Sequence, residues 1–184
     1  MRRILFFVFL CFLAVASTGC KKAQLRRQLK ELMGSTIVLP EKITCVYNGD
    51  VYPMPDSLRE KAKLIVYLDS TECASCRISH LESYHQLFHL SEETGLFEVV
   101  VLLSNTELYG MSILRYVSDQ MLEHPIYCDV ENKFLRLNPS IPKTALSFHS
   151  FLVDHVGVPV CVGDPSMSET MYLIFLKSIN KLVK

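Results

Sequence analysis

Uninterrupted apolar runs alternate along most of this chain with stretches whose apolar positions recur every three or four residues. Leu64-Ile65-Val66-Tyr67-Leu68 is one such run, rich in β-branched and aromatic residues. It predicts a central strand covered on both faces, ended by Asp69-Ser70-Thr71. Ile78, Leu81, Tyr84, Leu87 and Phe88 then recur at helical spacing, with Arg77, Glu82, His85 and Gln86 between them. That periodicity predicts an amphipathic helix beginning at Cys73. Phe97 to Leu103 predicts a second buried strand, and Tyr109 to Met121 a helix with Ile113, Tyr116, Val117 and Met121 on one side. Pro125 to Cys128 predicts a short strand, and Asp129 to Phe134 the start of a short helix with Asp129 as its N-cap. Strands and helices in alternation call for a parallel sheet joined by crossovers. The pattern then changes: Phe148 to Val153 and Val158 to Val162 predict an antiparallel hairpin across Asp154-His155-Val156-Gly157. Ser166 is expected to cap a last helix, Met167 to Leu182, whose buried face is Met171, Ile174, Phe175 and Ile179.

The front of the chain has a different texture. Arg2 and Arg3 precede an apolar run, Ile4 to Val15, which passes into Ala16-Ser17-Thr18-Gly19-Cys20. A basic start, an apolar middle and small residues before a break form a secretory signal. Its Gly-Cys ending resembles a bacterial lipobox, with Ser17 where such signals usually carry Leu. The resemblance implies cleavage after residue 19 and a diacylated Cys20 that holds the protein on a membrane; an ordinary signal peptide or an uncleaved anchor is the alternative. Residues 20–33 are then a basic helical linker, with Leu25, Leu29 and Leu32 on one face of Ala23 to Met33, and Gly34 ends it. Thr36 to Leu39 and Ile43 to Tyr47 predict two strands of an N-terminal hairpin. Asn48-Gly49-Asp50 follows as a turn, and Pro53 and Pro55 lie in a loop to the central strand. Residues 34–184 make one domain with room for a core.

The 19 Lys and Arg residues balance 19 Asp and Glu, and loss of Arg2 and Arg3 with the signal leaves the remainder slightly acidic. That balance offers nothing to a nucleic acid. Of seven cysteines, Cys11 leaves with the signal and Cys20 would be acylated. Cys45, Cys73, Cys76, Cys128 and Cys161 remain, an odd number for an exported protein. Cys128 and Cys161 lie inside apolar strand-like runs, where free cysteine is ordinarily a small core residue.

Cys73-Ala74-Ser75-Cys76 carries the chemistry. Two cysteines at this spacing at a helix start can close a disulfide or stand as exchanging thiols, and the helix N-terminus favours a thiolate. A zinc site would need two further ligands, and no second CxxC or HxxxH follows. Strand, CxxC and helix in this order resemble the active site of the thioredoxin superfamily, and the whole pattern resembles its membrane-tethered, TlpA-like lipoproteins of Bacteroidetes-type bacteria. The resemblance implies an α/β thioredoxin-like fold, three-layered α/β/α with a mixed central sheet, here with the added N-terminal β-hairpin.

It further implies a thiol–disulfide oxidoreductase with Cys73 as nucleophile and Cys76 as resolving thiol, and with no cofactor and no metal. Its partners would be exported protein thiols and disulfides, a membrane or periplasmic electron donor, and membrane lipid through Cys20; its place would be the cell envelope, facing the periplasm. Arg77 matches the basic residue that often follows the motif. Three positions depart. Glu72 replaces the usual tryptophan. Tyr67 stands where thioredoxins keep a buried acid, for which Asp69 with Glu72 is the candidate substitute. Phe148 stands where the family has a cis-proline. These departures leave open a binding module with little redox turnover, and a copper-handling lipoprotein using Cys73, Cys76 and His155 is a further alternative.

Overall fold

The computed structural model describes residues 21–69, 81–104, 107–108, 111–119, 122–143 and 145–182. Helix α1 covers 21–33. Strands β1 (Thr44–Tyr47) and β2 (Asp50–Pro53) precede β3 (Lys63–Leu68), and a 3-10 turn, Leu81–Tyr84, leads into α2 (His85–Thr94). Then come β4 (Glu98–Ser104), the short pair β5 (Glu107–Leu108) and β6 (Met111–Ser112), α3 (Ile113–Asp119), β7 (Ile126–Asp129) and α4 (Phe134–Leu137). The chain finishes with β8 (Ser150–Val153), β9 (Pro159–Val162) and α5 (Glu169–Ile179).

One seven-stranded sheet of order β2-β1-β7-β4-β3-β8-β9 organises the molecule. β3 pairs in parallel with β4, and β4 with β7, while β1, β8 and β9 join antiparallel. Period-two alternation sends the two faces of the central strands into separate cores. Leu64, Val66, Leu68, Val99, Val101 and Leu103 pack with Leu87 and Phe88 of α2, Ile113 and Val117 of α3, and Phe175 and Ile179 of α5. Ile65, Tyr67, Val100 and Leu102 pack on the other side with Leu32 of α1 and Phe134 of α4. This is the expected mixed sheet between two helical layers. The expected buried positions Leu81, Tyr84, Leu87 and Phe88 are all buried, and α1 docks through Leu32 while Leu25 and Leu29 stay exposed.

Several elements differ from expectation, each for a local reason. The N-terminal hairpin is built from β1 and β2 rather than from Thr36 to Leu39. Asn48 and Gly49 adopt φ of 51° and 81°, a two-residue turn that sets Tyr47 opposite Asp50. Thr36 to Leu39 pairs with no strand among the described residues: the Ile37 N–H donates to the Gly157 carbonyl at 2.8 Å, and Val38 bonds the Asn138 side chain. Asp129 does not open a helix directly. It ends β7, Asn132 takes φ 50° and blocks helical continuation, and the Asp129 carboxylate instead accepts from the Phe134 N–H at 2.7 Å. The third helix begins at Ile113 because β5 and β6 occupy the preceding residues.

The last helix begins at Glu169, capped by Ser168, whose hydroxyl accepts from the Met171 N–H at 3.2 Å. Ser166 is held by Asp164 instead. Ile174, expected inside, is 47% exposed, because the face that meets the sheet runs through Phe175, Ser178 and Ile179. Phe148 ends a 3-10 turn, Leu146–Phe148, and β8 starts at Ser150. Among the described residues no helix is long and apolar enough to cross a membrane.

Candidate active site

The parallel strands β3, β4 and β7 all end at one edge of the sheet, and β3 leaves it through Leu68 and Asp69. Glu72, Cys73, Cys76 and Arg77 follow in a stretch that lies outside the described residues, as does Cys20. What can be placed is the frame on either side of that stretch. Asp69 is half-buried at the strand's exit, and the chain is described again at the Leu81–Tyr84 turn.

Beside the exit, the Tyr67 N–H donates to the His149 carbonyl at 2.9 Å, which extends the β3–β8 ladder beyond the Val66–Ser150 pair. The Tyr67 ring is buried against Phe134, with centroids 4.8 Å apart, and against His149 at 5.7 Å. The His149 ring is buried too, its Nε2 donating to the Pro142 carbonyl at 3.1 Å. Tyr67, expected from the sequence at the position where thioredoxins keep an acid, is thus held by aromatic packing. Phe148, one residue further, is partly buried against the same core. Among the described residues no peptide bond is cis, so backbone here is presented by a trans Phe148.

Besides Asp69, which the sequence reading named, a second acid that it missed stands at this edge. The Gly163 N–H donates to the Ser150 carbonyl at 2.7 Å, which places the loop after β9 next to the start of β8. In that loop Asp164 is 9% exposed. Its carboxylate accepts from the Tyr84 hydroxyl at 2.5 Å, and from the Ser166 N–H and hydroxyl at 2.9 and 2.7 Å. The signal in the sequence was slight, a single Asp between Gly163 and Pro165.

His155, the candidate copper ligand, is brought to the wrong place. It lies exposed in the β8–β9 turn, at the end of the sheet where Lys63 starts β3. A six-residue strand, about 20 Å long, separates it from the edge at which the motif follows. The copper alternative loses that ligand.

The remaining cysteines are core residues. Cys45, Cys128 and Cys161 are buried and free, as expected for the last two. Burial pushes the Cys128 thiol up to about 12, and it also raises Cys45 and Cys161. Hydrogen bonds with Tyr52 and Tyr127 offset part of the rise at Cys45. Such thiols carry little thiolate near neutral pH.

No protein-family model matches the sequence, and no curated protein resembles it in sequence. Solved structures do resemble it. A Chlorobium tepidum protein assigned as the thiol:disulfide interchange protein DsbE superposes with a TM-score of 0.51 at 16% identity, covering 79% of this chain and 98% of that one. The AhpC of Enterococcus faecalis gives a TM-score of 0.52 at 12% identity over 80% of this chain and 90% of that one. The fold is thioredoxin-like. A reduced 2-Cys peroxiredoxin of Plasmodium vivax is a further neighbour, with a TM-score of 0.50 at 13% identity over 82% of this chain and 98% of that one. Identities this low bear on the thioredoxin-like fold alone.

Proposed function

We propose that this protein is a lipid-anchored thiol–disulfide oxidoreductase of the bacterial cell envelope, acting on exported proteins through Cys73 and Cys76. The observation that carries this is positional: within a thioredoxin-like fold, the CxxC follows directly on the central strand β3, between Asp69 and the turn that begins at Leu81. In the reducing direction the Cys73 thiolate attacks a substrate disulfide, forming a mixed disulfide and releasing one substrate thiolate. The Cys76 thiolate then displaces the second substrate sulfur. The substrate gains two electrons and two protons, and the enzyme is left with a Cys73–Cys76 disulfide. A membrane or periplasmic donor returns two electrons to that disulfide. Cys20 would carry the acyl chains of the anchor, with residues 1–19 removed.

Trapping tests the mechanism. Cys76→Ser should accumulate a mixed disulfide with exported protein, and Cys73→Ser should accumulate none. The opposite result reverses the roles, and no trapping together with no insulin reduction by the wild type refutes the enzyme. A second reading, a binding module with little turnover, draws support from Tyr67, which is packed against Phe134 and His149 in the place of an acid, from Phe148 in place of the cis-proline, and from Glu72. Mass spectrometry of the mature N-terminus decides the anchor: a chain that does not begin at a diacylated Cys20 removes it.

A further inference from the structure

Helix α1 carries two parallel rows of side chains that the domain behind it does not use. Residues four apart stack into rows along a helix. Leu25, Leu29 and Met33 form one such row, and Lys22, Arg26 and Lys30 form the row beside it. All six side chains are exposed. The helix is held to the domain by the fully buried Leu32 and the half-buried Gln28. These two lie on the far side of the apolar row from the basic one, so both rows are left facing outward.

A helix that served only as a spacer would gain nothing from this arrangement. Cations stacked four apart repel, and Lys21 and Lys22 stand at the N-terminal end, where the helix dipole disfavours them. Residues 21–33 hold five Lys and Arg and one acid, Glu31, which lies outside both rows. Beyond residue 33 the chain carries 12 Lys and Arg against 18 Asp and Glu. A basic helix on an acidic domain is complementary to something negative outside the domain. The neighbouring apolar row states the kind of partner: Leu and Met at the hydrocarbon boundary with Lys and Arg reaching phosphates beside them is the pattern of a helix lying in a membrane interface. The chain also enters α1 directly from Cys20 and the apolar run Ile4 to Val15.

We propose that α1 lies along an anionic lipid surface, with Leu25, Leu29 and Met33 at the acyl boundary and Lys22, Arg26 and Lys30 on lipid phosphates. This rests on the membrane attachment read above from residues 1–20 and adds an orientation to it. Leu32 fixes α1 to the core, so docking the helix also sets the attitude of the sheet toward the bilayer, which a tether alone would leave free.

The chain has no tryptophan, so Leu29→Trp and Gln24→Trp in the full chain each supply a single reporter, the first on the docking face and the second on the opposite side of the helix. Each variant is floated with vesicles of phosphatidylcholine alone and of phosphatidylcholine with phosphatidylglycerol. Emission maximum and quenching by brominated acyl chains are read, with melting temperature as control. On anionic vesicles the Leu29→Trp protein should shift to the blue and be quenched, while the Gln24→Trp protein keeps its emission in solution. Each Lys or Arg near an anionic surface contributes about fivefold to binding, so adding Lys22→Gln and Lys30→Gln to the Leu29→Trp protein should weaken docking about 25-fold and reverse the shift. Equal behaviour of the two reporters on anionic vesicles overturns the proposal, as does a shift of the same size on neutral vesicles. A shift that appears without lipid and grows with protein concentration also overturns it, because a second copy then covers the row. If Leu29→Trp lowers the melting temperature, Leu25→Trp in the same row decides by the same criteria. Flotation on anionic vesicles alone, with the shift, refutes attachment through residues 1–20 and supports docking; flotation on both without contrast between the reporters refutes docking and supports the attachment.

Discussion

Asn138→Ala should loosen the front of the domain by a measurable amount. Asn138 is 2% exposed and acts as a substitute strand edge for the segment before β1. Its Oδ1 accepts from the Val38 N–H at 2.7 Å, and its Nδ2 donates to the Val38 and Phe134 carbonyls at 2.8 Å each. Each such bond contributes about 0.5–1.5 kcal/mol net, so the three together bound the effect near 1.5–4.5 kcal/mol. Val38 is 48% exposed, and water will replace part of what it loses, which sets the expectation near 2 kcal/mol. For a domain of this size that lowers the melting temperature by about 4–8 °C. Urea unfolding followed by circular dichroism gives the free energy, and hydrogen exchange at Ile37 and Val38 should accelerate. Asn138→Asp sharpens the test: it keeps the acceptor for the Val38 N–H but turns a carboxylate oxygen toward two carbonyls, so it should cost at least as much. A loss below about 0.5 kcal/mol in the alanine variant, or a wild-type-like aspartate variant, would refute the account of this bond set.

Three further outcomes are expected. Gly157→Ala should destabilise by at least about 1–3 kcal/mol in urea unfolding, since Gly157 has φ 91° and an added Cβ would meet the Ile37 carbonyl oxygen at 2.6 Å; a neutral change would mean the turn relaxes freely. Stability should hold from pH 7 to about 9 and fall toward 12. Cys128 is raised from 9.0, and Tyr52 from 10.0, each to about 12, so the folded state keeps protons that the unfolded chain loses in that window. Urea midpoints rising between pH 9 and 12 would contradict this. Alkylation of the native reduced protein should label Cys45, Cys128 and Cys161 far more slowly than Cys73, and rapid labelling of any of the three would contradict their burial.

The strands and helices that carry the fold were legible because their physics is local. Leu64 to Leu68 and Phe97 to Leu103 are apolar without a break, which only a strand covered on both faces accommodates, and Leu81, Tyr84, Leu87 and Phe88 fall on one helical face whatever lies beyond them. Asn48-Gly49 was equally local, and its two-residue geometry marks the β1–β2 hairpin that a preference for Thr36 to Leu39 obscured. Other features depended on partners distant in sequence. Whether Thr36 to Leu39 became a strand was decided by Asn138, a hundred residues away, and Ile174 was turned outward by the angle at which α5 meets the sheet. The CxxC and the candidate anchor at Cys20 were carried by the sequence, since residue type and spacing define both. The link between Asp164 and Tyr84 was not, because eighty residues separate them and only the pairing of β3, β8 and β9 brings the loop after β9 against the turn that follows the motif. Periodicity records which face of an element is buried; it holds no information about which polar side chain another element will bring there.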